Sequence, residues 1–137
     1  MSNPSELAPV PAAALQAFKA KSDEIIRAVV AQSMEHTDQV AAHGDQAERL
    51  LVAGMRYTTL GLQTAIFLRN TTLLDLQLTW AADRLRHDGV LPEHILTSLE
   101  IYAEVVERLL PAEQAQAINQ YVRWMIDRQR ELVRPAS

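Results

Sequence analysis

Apolar positions recur along most of this chain every three or four residues, the spacing of one face of an α-helix. A first stripe runs through Leu15, Phe18, Ser22, Ile25, Val29, Gln32 and His36, with Val40 and His43 beyond. It predicts one long helix from Ala12 to about Ala42, closed by Gly44. The stripe is apolar in its first half and polar in its second, and a narrow seam that fades suits a helix lying on a partner helix. Asp45 then reads as the cap of a second helix, with Glu48 three residues later as a D-x-x-E variant of the capping box. This helix runs to about Arg69, and Leu50, Leu51, Tyr57, Leu60, Ile66, Phe67 and Leu68 give it a broad apolar surface. Within it Gly54, Thr58, Gly61 and Ala65 form a row of small residues. Glycine in a helix interior costs roughly 1 kcal/mol against alanine, so the row predicts a close helix crossing in preference to a ligand slot.

Asn70 is either the cap of a third helix or a kink in a continuous one, and Leu73 to Leu85 carry helix down to His87 and Asp88. The sharpest break in the chain follows. Gly89 is placed for a left-handed turn, and Pro92 stands where a first helical residue belongs, with acidic Glu93 behind it. A fourth helix is expected from Pro92 to about Leu110. A fifth starts at Pro111, has Glu113 in its first turn and runs to Pro135. No β-type alternation and no internal repeat interrupts the pattern. The expectation is an all-α, single-domain protein of about five helices with a long N-terminal helix. Residues 1–11, with Pro4, Pro9 and Pro11, are expected to be a flexible lead-in to a domain over 12–134.

Composition narrows the function classes. The chain has 137 residues, enough for one domain with a real core. Its 13 basic and 17 acidic residues give a net charge of -4 with no basic run, which disfavours a nucleic-acid surface. The absence of cysteine removes disulfides and thiolate chemistry. No secretory leader pattern and no apolar run near the ~20 residues of a membrane span is present, so a soluble cytoplasmic protein is expected.

Candidate chemistry is thin. His36 and His43 are seven residues apart, as are His87 and His94. Seven residues of helix span about 10 Å, too far for two ligands on one ion, so no metal site is expected. Haem needs only one histidine facing a pocket, and His87, just before the corner, is the candidate ligand for that alternative. His94, in the first turn of the next helix, reads as a capping or surface residue. Ser33 and Ser98 lack a nucleophile elbow, and the 4 glycines are isolated rather than gathered in a phosphate loop. No enzyme activity is expected.

The corner DGVLPEHILTSLEIYAEVVERL, followed by a proline-started helix carrying INQYVRWM, resembles the N-terminal globin-like domain of stressosome RsbR-type proteins. It is also similar to the corner of globin-coupled sensors, and by helix order the likeness spans roughly Leu50 to Val133. In globin-coupled sensors the proximal histidine stands four residues before the glycine, a position held here by Leu85, with His87 two before. The resemblance therefore implies the non-haem type: a globin-like sensor domain of a bacterial stress-response system that dimerises, meets other signalling proteins and needs no cofactor. A haem-binding gas sensor ligated by His87 and a ligand-free helical scaffold are the alternatives. The stripes of the first and last helices leave apolar surface to cover, so a homodimer is expected to form across Leu15, Phe18, Ile25, Val29, Ile118, Val122, Met125 and Leu132.

Overall fold

The computed structural model describes residues 7–36, 44–87 and 89–133. Among these the chain is all-α, with helices α1 (Ala12–Ser33), α2 (Ala47–Leu68), α3 (Thr72–His87), α4 (Pro92–Leu109) and α5 (Ala112–Val133), and a short 3-10 turn, Gly44–Gln46, before α2. The antiparallel pair α4 and α5 is the most closely packed, α1 lies against both of them and against α2, and α3 rests on α2 and α5.

The apolar stripes converge on this centre. Phe18, Ile25 and Val29 of α1 are fully buried with Tyr102, Val105 and Val106 of α4 and with Ile118, Val122 and Met125 of α5. Phe18 meets Tyr102 edge to face, ring centroids 6.5 Å apart. The dimer seam expected from these stripes is therefore corrected. Phe18, Ile25, Val29, Ile118, Val122 and Met125 form the core of one chain, and Leu15 and Leu132 are half-buried against it. A stripe reports that a helix face is covered; here the cover is α2, α4 and α5 of the same copy.

The ends of the helices follow local chemistry. α1 stops at Ser33, nine residues short of the expected Ala42, through a tightened last turn in which the Glu35 and His36 amides donate to Gln32 and Ser33 carbonyls. Val40 and His43 lie outside the described residues. Asp45 sits in the 3-10 turn and Gln46 holds the N-cap position of α2 with no side-chain cap, so the expected capping box is absent. α2 and α3 close alike. At the end of α2, Arg69 takes the left-handed conformation at φ 55°, and the Asn70 amide donates to Ala65 O at 3.0 Å. At the end of α3, Gly89 takes φ 83°, and the Val90 amide donates to Leu85 O at 2.9 Å. Both are Schellman closures. Asn70 Oδ1 accepts the Thr72 amide at 2.8 Å, which separates α3 from α2 instead of kinking one helix.

Polar groups between the helices, some of them buried, hold them in register. Gln129 Nε2 donates to Pro92 O at the start of α4, and Asn119 Nδ2 donates to Ala103 O, each at 3.0 Å. Arg128 of α5 pairs with Asp75 of α3, the hydrogen bond that raises the guanidinium pKa most. Gln63 of α2 donates to Ser22 Oγ of α1. Part of the expected flexible lead-in is also held down: Leu7 and Val10 lie half-buried on the core, and the Ala8 amide donates to Gln120 Oε1.

Candidate functional site

Because α3 is packed on α2 and α5 and makes little contact with α4, the space between α3 and α4 is unfilled. It forms a cavity of about 340 Å³. α2 supplies Leu50, Leu51, Gly54 and Met55; α3 supplies Gln77, Leu78, Trp80 and Leu85; α4 supplies His94, Ile95, Ser98 and Leu99. Met125 of α5 adds to the wall, and so does Val90, from the corner. Leu85 and Val90 are the residues whose backbones join in the Schellman closure, so the corner is itself part of the cavity wall. Tyr57 and Trp80, half-exposed with ring centroids 6.0 Å apart, stand at the mouth.

The row of small residues divides here. Gly61 is buried at the crossing of α2 and α3, where a Cβ would overlap the carboxamide of Gln77. Gly54 lines the cavity, and a Cβ added there meets nothing within 4 Å. One glycine serves packing as expected, and the other faces open space. Gln77 is 8% exposed and its Oε1 has no hydrogen-bond partner among the described residues, an unusual state for a buried acceptor.

The histidines exchange places relative to expectation. His87 is exposed at the end of α3 and is absent from the cavity wall, whereas His94 is buried and lines it. The haem alternative placed its ligand at His87, and that residue does not face the pocket; Leu85, which does, has no ligating atom. Among the described residues no three of His, Cys, Asp and Glu come together as metal ligands would. Beyond the cavity Tyr102 shares a 2.7 Å hydrogen bond with Thr59, and burial pushes its phenol well above the ordinary value, so it is a neutral structural group.

A second feature lies on the outside of α2 and α3. Leu50, Ala53, Tyr57, Leu60, Thr64 and Phe67 follow each other at alternating steps of three and four residues, a heptad stripe along the whole of α2. Leu73, Leu76 and Trp80 repeat the spacing on α3. Much of it is open to solvent: Leu60 is 62% exposed, Phe67 73%, Leu76 61% and Trp80 55%. The sequence reading names Leu50, Tyr57, Leu60 and Phe67 as apolar surface, and the heptad spacing of the stripe is readable there; His94 and Gln77 as cavity residues are missed. Among the described residues no helix is long and apolar enough to cross a membrane.

No known family, curated protein or solved structure matches this chain.

Proposed function

We propose that this protein is a regulatory helical module that acts by protein–protein contact and pairs with a second copy through the outer faces of α2 and α3. The carrying observation is the exposed heptad stripe, together with Leu68 beside it at the end of α2. Leu50, Tyr57, Leu60, Phe67, Leu68, Leu76 and Trp80 are on average a little over half exposed. At roughly 200 Å² for a whole large side chain they offer about 800 Å² of apolar surface, the share one partner contributes to a standard interface. That exceeds the largest apolar patch of an ordinary monomer. Two antiparallel helices bearing a/d-type stripes can meet their own copies as a four-helix bundle across a two-fold axis, a geometry that covers the stripe on both copies at once.

A signal-receiving role of the stressosome type is supported by the likeness of the corner and the last helix to those sensor domains, and by the cavity that opens beneath the same face. Sedimentation velocity at micromolar concentration tests the pairing. Wild type and Lys19→Glu, which lies on exposed α1 surface, should sediment as dimers. Leu60→Glu and Leu76→Glu should sediment as monomers with unchanged helical circular dichroism. A monomeric wild type contradicts the proposal, and so does a dimer that survives both charges.

A further inference from the structure

We infer that the cavity between α2, α3 and α4 is a binding site for a neutral, mostly apolar small molecule with one hydroxyl-type end. Three observations lead there. First, the space is far larger than a packing flaw: about 340 Å³, against an apolar cavity of about 150 Å³ that already takes up benzene, and within the range of ligand pockets. Second, among the described residues its wall contains no Asp, Glu, Lys or Arg. An ionised ligand would lose its hydration there with His94 as the one described side chain of the wall able to carry a positive charge, so the wall favours a neutral occupant. Third, Gln77 is more than nine-tenths buried on this wall and its Oε1 lacks a partner among the described residues. The oxygen rests against Gly61, and the last torsion of a glutamine is soft. A ligand hydroxyl entering the cavity gives that carboxamide a group to which it can both donate and accept. Ser98, buried on the same wall, offers a second polar contact.

The site meets the proposed pairing face at its mouth. Leu50, Tyr57 and Trp80 belong both to the cavity wall and to the exposed stripe. An occupant that shifts these side chains alters the surface a second copy meets, and by linkage pairing alters ligand affinity by the same factor. This coupling rests on the pairing proposal; the binding site does not.

The test titrates the full chain with 1-octanol, with 1-methoxyoctane, which accepts but cannot donate a hydrogen bond, and with octanoate. Calorimetry and tryptophan fluorescence read the binding, since Trp80 lines the cavity. Octanol should bind saturably at one per chain, about tenfold tighter than the ether and at least about a hundredfold tighter than octanoate. Gly54→Leu, which fills open space without a clash at its Cβ, should abolish octanol binding while leaving the protein folded. Gln77→Leu should erase the preference for alcohol over ether and retain uptake of both. Leu60→Glu lies outside the wall and should leave octanol binding intact whether or not it disrupts pairing, which separates failure of one proposal from failure of the other. Non-saturating uptake, or saturable binding that Gly54→Leu leaves unchanged, overturns the site. Octanoate binding as tightly as octanol overturns the ligand class.

Discussion

Arg69 occupies at the end of α2 the left-handed conformation that Gly89 occupies at the end of α3. An L-residue pays about 1–2 kcal/mol for that geometry, partly offset by the extra unfolded-state freedom that glycine brings. Arg69→Gly should therefore stabilise the protein by roughly 0.5–1 kcal/mol, seen as a higher urea midpoint; a lower midpoint would mean that the arginine side chain makes contacts worth more than the strain. Tyr102→Phe should cost about 1–3 kcal/mol, because the buried Thr59 hydroxyl loses its partner. The same residue predicts a pH dependence. Burial raises the folded phenol above the ordinary value of 10.0, with the Thr59 hydrogen bond opposing more weakly. The stability linked to it is fully present below pH 10 and is lost as pH rises beyond it toward the folded value. Unfolding free energy should fall in that alkaline range and fall less steeply in Tyr102→Phe. Some slope should remain, since burial raises Tyr121 as well, against the lowering by Arg69. A slope identical in the variant would contradict the assignment. At this scale the sequence was a partial guide. Gly89 announced its turn through its own backbone chemistry, Asn70 left a cap and a kink both open, and nothing in residue type told which of His87 and His94 would face the interior.

The boundaries around the corner and before α5 were the most legible, because Gly89, Pro92 and Pro111 act within a few residues of themselves. The second half of the predicted first helix was not: positions 32 and 36 keep the spacing of the stripe, yet Gln32 and His36 carry no apolar group to bury, and α1 ends at Ser33. The glycine row was half legible, since the sequence marks a helix face with little side chain without saying what fills the gap. The two glycines should answer differently to substitution. Gly54→Ala gains helix propensity with nothing in its way and should stabilise by about 0.5–1 kcal/mol. Gly61→Leu must displace Gln77 from the crossing of α2 and α3 and should cost about 1–3 kcal/mol. Thermal melts of the two variants check the pair; shifts of the same sign would show that the cavity and the crossing have been assigned to the wrong glycines.

At the scale of the whole molecule the all-α architecture followed from the period of the pattern, but the allocation of apolar faces did not. α1 and α5 have narrow stripes, and both are consumed by the core of one chain. α2 is apolar on two sides, with Met55, Leu62, Ala65 and Ile66 turned inward and Leu60, Phe67 and Leu68 left outside. Periodicity cannot say which of two apolar sides the rest of the chain will cover, and so the expected dimer seam was placed on faces that the core of one chain covers. Spin labelling tests the proposed pairing face most directly, because a chain with no cysteine accepts a single engineered label. A nitroxide at Arg56→Cys, exposed near the middle of α2, should report an intermolecular distance of about 20–30 Å, two helix diameters plus the label arms. That distance should vanish in the Leu60→Glu background. No intermolecular coupling from α2, or a short distance from a label at Arg123→Cys on α5 instead, would contradict pairing through α2 and α3.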